Sequence, residues 1–229
     1  MPPTAHPSPN REARPDGTAV DILLLHYTGM RTGAEALARL CDPEAKVSAH
    51  YLIEEDGRVV ALVPEELRAW HAGVSCWAGA RDINDRSIGI ELVNPGHEWG
   101  YRPFPEPQMA ALIALAEAIR ARHPIPSHRV LGHSDVAPAR KQDPGELFDW
   151  PRLARHGLGV WPSQAPAFEE TPPLAWFLER LGRIGYCLDC EDSALLAAFQ
   201  RHWRPEAVTG TPDTGTAARL AALTKMLET

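Results

Sequence analysis

The chain has 229 residues, 44% of them hydrophobic, with 7 Trp and a formal net charge of −7. Its pI of about 5.8 argues against the basic patch that nucleic-acid binders turn toward phosphate, and no apolar run is long enough for a membrane span. That length is large for one domain and small for two of ordinary size, and the apolar content supports a substantial core.

Residues 1–18 are polar and rich in Pro, with no apolar core of a secretory signal. They read as a disordered lead. The default compartment is the cytoplasm, or the periplasm or cell wall if a signal has been removed. Residues 19–25 form a strand without charge after Asp21, buried on both faces and closing on His26. Thr32 to Leu40 is a helix, with Thr32 as N-cap and Glu35 three residues on. Residues 48–53 and 58–63 flank Glu55-Asp56-Gly57, a hairpin signal. Ser87 to Val93 is a strand, Pro107 to Arg122 a helix, and Arg129 to His133 a short strand ending at its histidine. These elements place an α/β domain over residues 19–162. A Pro-rich linker follows at 163–173. Helices at 174–181, 192–203 and 216–227 then make a small all-α three-helix domain over 174–229. Cys41 and Cys76 stand alone, and Cys187 and Cys190 form a C-x-x-C that reads as a structural pair.

Alternation along Ser87–Val93 puts Ile88, Ile90 and Leu92 on one face and Ser87, Gly89 and Glu91 on the other. The small residues leave space over that second face, and Glu91 points into it. A carboxylate there needs a partner or a use. His26, His133 and Asp143 lie at strand ends and in loops, where two imidazoles and a carboxylate suit a catalytic zinc with one position left open for water. Read singly, each imidazole also fits a hydrogen-bonded strand end. Lys141 also fits a solvated charge, Glu91 a salt bridge, and Asp143-Pro144-Gly145 a plain turn.

Six stretches carry a resemblance in this order: Leu25-His26-Tyr27-Thr28, Val47-Ser48-Ala49-His50-Tyr51, Arg68 to Ser75, Asn84 to Leu92, Gly132 to Pro138 and Arg140 to Gly145. Over roughly residues 19–155 the chain resembles the zinc-dependent N-acetylmuramoyl-L-alanine amidases, relatives of the peptidoglycan-recognition proteins. The resemblance implies a mixed central sheet flanked by helices. It implies hydrolysis of the amide between N-acetylmuramic acid, or its 1,6-anhydro form, and L-alanine, with peptidoglycan or muropeptide as the partner. It places zinc on His26, His133 and Asp143, a catalytic glutamate at Glu91 and a catalytic lysine at Lys141. His50, Trp70, His71, Arg81 and Asn94 follow as substrate-groove candidates, with Arg86 an alternative to Arg81 for a stem-peptide carboxylate. Residues 181–186, 197–201 and 209–220 are similar to a peptidoglycan-binding three-helix module, the alternative being a helical cap on the first domain. The rival function is a recognition protein that binds muropeptide without cutting it. A zinc peptidase of the His-Glu-x-x-His type is disfavoured, because no such helix motif occurs.

Overall fold

The computed structural model describes residues 2–163 and 165–228; Met1, Gln164 and Thr229, which fall in the expected lead, linker and C-terminal region, lie outside the described residues. The strands are β1 (Thr4–Ala5), β2 (Arg11–Ala13), β3 (Ile22–Tyr27), β4 (Tyr51–Ile53), β5 (Val59–Ala61), β6 (Leu67–Ala69), β7 (Cys76–Trp77), β8 (Ala80–Arg81), β9 (Ser87–Leu92) and β10 (Val130–Gly132). The helices are α1 (Gly33–Cys41), α2 (Gly96–Trp99), α3 (Glu106–Arg122), α4 (His133–Val136), α5 (Trp150–Arg155), α6 (Leu174–Ile184), α7 (Asp192–Trp203) and α8 (Thr214–Leu227).

Six strands form the central sheet in the order β1-β5-β4-β9-β3-β10, parallel throughout except for the antiparallel pair β4–β5. Strand β3 is apolar on both faces because both are covered. Leu23 and Leu25, with Ile88, Ile90 and Leu92 of β9, pack against Met109, Leu112, Ala116 and Ile119 of α3. Ile22 and Leu24 face the other way, toward Phe177, Leu181, Leu196, Phe199 and Leu220 of the C-terminal helices. Residues Ser87, Gly89 and Glu91 of β9 lie on that second face, beyond the end of this apolar layer. Thr32 caps α1, its hydroxyl accepting from the Glu35 amide at 3.1 Å, as the spacing predicts.

Three expectations are corrected. The lead is ordered: β1 adds to the sheet edge beside β5, and β2 pairs with β6. Buried Ser8 donates to the Leu40 carbonyl at 2.6 Å, and Asn10 Nδ2 donates to Asp42 and Val47, each at 2.8 Å. The Arg14 guanidinium donates to the carbonyls of Glu65, Asn84, Asp85 and Ser87. Each partner lies more than thirty residues away, where local composition carries no signal. The C-terminal helices share one apolar core with the sheet, because the second face of β3 and the stripes of α6 and α7 cover each other. Cys187 does not pair with Cys190. It forms a disulfide with Cys76 of β7, leaving Cys41 and Cys190 free among the described residues. Closing a loop of 111 residues removes on the order of 4–5 kcal/mol of chain entropy from the unfolded state.

One partly buried ion cluster ties β4 and α3 together. Glu65 accepts from Tyr51 Oη at 2.7 Å, Arg122 Nη2 at 2.7 Å and His123 Nε2 at 2.7 Å. Burial opposes its ionisation, but these donors hold the carboxyl down at about 2, from 4.5. A depressed folded-state pKa means that its stabilisation is complete above pH 4.5 and is lost as pH falls toward 2. We expect the Tm advantage of wild type over Glu65→Gln to be largest near pH 6 and to shrink steadily between pH 4.5 and about 2. An offset that stays constant over that range, measured by thermal melts, would contradict it.

Candidate active site and metal centre

His26 ends the apolar stretch of β3, and the parallel register sets it directly beside Glu91 of β9. His133 opens α4 immediately after β10, the strand on the other side of β3. Asp143 arrives from the following loop, whose backbone is held by Ser134 N–H donating to the Asp143 carbonyl at 3.0 Å. Residue 132 must be Gly, because a Cβ there would lie 2.8 Å from Pro144 Cδ. The three side chains converge. His26 Nδ1, His133 Nδ1 and Asp143 Oδ2 are each 3.0 Å from the other two, and all three residues are buried.

Hydrogen bonds decide what those atoms present. His133 Nε2 faces only the Ala72 carbonyl, at 3.0 Å, so it carries the proton and Nδ1 keeps its lone pair. On the other side, Ser87 Oγ donates to the Ile83 carbonyl at 2.6 Å and therefore accepts from His71 Nε2–H at 3.3 Å. His71 Nδ1 then accepts from His26 Nε2–H at 3.1 Å, leaving His26 Nδ1 with a lone pair as well. Burial, reinforced by the neighbouring His133, pulls the His26 imidazole down to about 4. Burial likewise holds His71 well below its usual value, with His26 next in effect. Both rings are therefore neutral at neutral pH. Asp143 Oδ2 is the third atom of the group, 3.0 Å from each of the two Nδ1 atoms. Two lone pairs and an anionic oxygen thus point at one spot with no proton between them. That arrangement repels itself unless a cation sits there. Zinc fits, since tetrahedral bonds of about 2.0–2.1 Å space nitrogen and oxygen ligands roughly 3.3 Å apart.

These residues open onto a cleft of about 470 Å³ lined also by Tyr27, Arg39, His71, Glu91, His97, Arg140 and Lys141. Glu91 Oε2 is buried there without a hydrogen-bond partner. Burial, and then the Asp143 carboxylate, raises the Glu91 pKa well above the usual range, with Lys141 opposing. Gly89 makes room for the relay: a Cβ at that position would overlap the His71 ring. The Ser-Gly-Glu face of β9 is therefore used residue by residue.

Of the groove candidates, His71 alone lines the cleft. His50 is fully buried beneath it, its Nδ1 accepting from Gly89 N–H at 3.0 Å and its Nε2 donating to the Leu67 carbonyl at 3.1 Å. Trp70 is turned to the β2 side, donating to Glu12 at 2.9 Å. Arg81 pairs with Asp189 at 2.7 Å near the disulfide, and Arg86 pairs with Asp21. Asn94 is buried, donating to the Arg102 carbonyl at 2.7 Å and accepting from Gly96 N–H at 3.0 Å. Each of these side chains makes a polar contact within the fold. Sequence reading missed Tyr27, Arg39, His97 and Arg140. Tyr27 adjoins His26 in sequence, but His97 and Arg140 reach the cleft only through the folding of separate loops.

Residues 16–146 match the N-acetylmuramoyl-L-alanine amidase family Amidase_2. The chain is 39% identical over 238 residues to the N-acetylmuramoyl-L-alanine amidase AmiD of Escherichia coli (strain K12), covering 93% of this chain and 85% of that protein. It is 37% identical over 164 residues to the 1,6-anhydro-N-acetylmuramyl-L-alanine amidase AmpD of Enterobacter cloacae, covering 64% of this chain and 86% of that one. The solved complex of E. coli AmiD with the substrate anhydro-N-acetylmuramic acid-L-Ala-D-gamma-Glu-L-Lys superposes with a TM-score of 0.82, at 36% identity over 94% of this chain and 93% of that one. A crystal structure of AmpDh3 from Pseudomonas aeruginosa gives a TM-score of 0.82, at 36% identity and 96% coverage of both chains. The converging donors and the partnerless glutamate thus sit in a sequence and fold shared with these enzymes, and the chain belongs to the N-acetylmuramoyl-L-alanine amidase family.

Proposed function

We propose that the protein hydrolyses the amide between N-acetylmuramic acid, or its 1,6-anhydro form, and L-alanine in peptidoglycan fragments, with zinc held by His26, His133 and Asp143. The supporting observation is the triangle of three proton-free donor atoms with an unpaired Glu91 oxygen in the same cleft. Zinc would supply Lewis acidity, polarising a carbonyl and making water acidic enough to react near neutral pH. Glu91 takes the proton from the attacking water and returns it to the departing amine of L-alanine, so that a C–O bond replaces the C–N bond and one water is consumed. Lys141 brings positive charge to the oxygen that becomes negative during attack. The relay from His71 to His26 holds the ligand ring in one tautomer.

Incubation with anhydro-muropeptide followed by mass spectrometry tests the reading: release of the intact stem peptide beginning at L-alanine is expected. An unchanged substrate would make the chain a recognition protein, and peptides cut between amino acids would make it a peptidase. Lys141→Ala is expected to lower kcat at least a hundredfold, the scale for removing one donor to a developing oxyanion. A rate near wild type would remove Lys141 from the reaction.

The Cys76–Cys187 disulfide supports placement in an oxidising compartment, the periplasm or cell envelope, over the cytoplasm. No helix among the described residues is long and apolar enough to cross a membrane. The likeness of α6–α8 to a peptidoglycan-binding module rests on Phe199, Gln200, Asp213 and Thr216. Phe199 and Gln200 are fully buried, Gln200 donates to Thr216 Oγ1 at 3.0 Å, and Asp213 caps α8. Wall binding by these helices is a separate proposal. It predicts co-sedimentation of a Glu91→Gln chain with purified sacculi, and a chain left in the supernatant would refute it.

A further inference from the structure

Asp135 lies two residues beyond His133, in α4, and does not line the cleft. It is 1% exposed, yet every donor it needs is present. Its Oδ2 accepts from Gly132 N–H at 2.8 Å and from His202 Nδ1–H at 2.7 Å, and its Oδ1 accepts from Tyr186 Oη–H at 2.6 Å. The first bond closes the turn that takes the chain from β10 into α4, and so sets the backbone from which His133 projects. The other two come from the C-terminal region, Tyr186 just after α6 and His202 near the end of α7. The His202 ring is clamped between Trp150 at 3.7 Å and Trp203 at 3.6 Å, both stacked. Tyr186 packs edge-on against Trp77, next to the Cys76–Cys187 bond.

A buried carboxylate with no role in amide cleavage is costly unless its donors are fixed, and here both side-chain donors are fixed by aromatic packing. We infer that Tyr186 and His202 are positioning residues for the amidase reaction: acting through Asp135, they fix the backbone turn that presents the metal ligand His133. The ring of His133 is held at its far nitrogen by the Ala72 carbonyl, and its backbone is held by this cluster. The same helix braces the opposite wall of the cleft. Arg201 Nε lies 3.6 Å from Glu146, Glu146 accepts from His97 Nε2 at 3.1 Å, and His97 Nδ1 meets Tyr27 Oη at 2.9 Å. The C-terminal helices are thus a working part of the hydrolase body. A ligand pre-set by a rigid outer contact binds metal more tightly than one free to swing, and outer contacts of this kind are worth 10- to 100-fold in affinity.

This inference rests on the zinc reading, and the two are tested separately in the full chain. Zinc affinity is measured without substrate by competition with a chelator, alongside apo-protein Tm and the kcat and KM of zinc-saturated enzyme. Failure of wild type to bind one zinc per chain would sink the underlying reading. With wild type binding, Tyr186→Phe, which removes one hydroxyl, is expected to weaken zinc about tenfold, and His202→Ala about a hundredfold. In both, kcat falls while KM stays. His202→Asn, which keeps a donor near the Nδ1 position, recovers part of the loss. Leu195→Ala, in the same α7 core, serves as the control, lowering apo Tm while leaving zinc affinity unchanged. If Tyr186→Phe and His202→Ala lower Tm but bind zinc like wild type, or if His202→Asn is no better than His202→Ala, the inference is overturned.

Discussion

Replacing Asp143 with Ala should leave the chain without stoichiometric zinc and without measurable amidase activity. The carboxylate is the only anionic atom among the three converging donors. Without it, two neutral nitrogens 3.0 Å apart remain, too few for a catalytic zinc site. The loop should survive, because Ser134 N–H reaches the backbone carbonyl of residue 143 and not the side chain. The check is elemental analysis after dialysis, which should fall from one zinc per wild-type chain to well below that in the variant. Melting gives an independent view. Zinc at a thousandfold excess over its Kd should stabilise wild type by about 4 kcal/mol. The Asp143→Ala chain should show no such rise in Tm. Full zinc occupancy in this variant would mean that the ligand set is wrong.

Glu91→Gln should retain the metal and lose turnover, kcat falling by roughly 10²- to 10⁴-fold, the range for a positioned acid–base group. The substitution is nearly isosteric and breaks no hydrogen bond of Oε2, which has no partner. Fold and metal content should therefore stay close to wild type. A pKa raised by burial suits a group that both accepts and returns a proton near neutral pH. In wild type, kcat/KM should accordingly fall on acidification from a midpoint above 4.5, as Glu91 becomes protonated and can no longer act as base. Loss of zinc from Glu91→Gln would recast Glu91 as a ligand. Retained turnover would assign the base to another group.

The active-site half of β9 was legible in the sequence because strand periodicity is local. Two-residue alternation separates Ile88, Ile90 and Leu92 from Ser87, Gly89 and Glu91 whatever the strand later pairs with, and the structure keeps that separation. The apolar run ending at His26, the hairpin around Asp56-Gly57 and the capped helix after Thr32 were legible for the same reason. The ordered lead was not. Pro-rich composition signals an absence of regular structure, yet Ser8, Asn10 and Arg14 are held by partners in distant segments. His50, Trp70 and Asn94 sit in motifs that read as groove, but their polar atoms are already committed to Gly89, Glu12 and Arg102.

Local residue patterns carry the kinds of element, the faces of each strand, and a set of chemical types suited to holding a metal and moving a proton. Folding alone brings Cys187 to Cys76, covers the second face of β3 with α6–α8, and ties Asp135 to Tyr186 and His202. The difference is one of range. Propensity and periodicity act over a few neighbouring residues. The choice of a partner a hundred residues away depends on which buried surfaces and unpaired polar groups the rest of the chain brings to the same place.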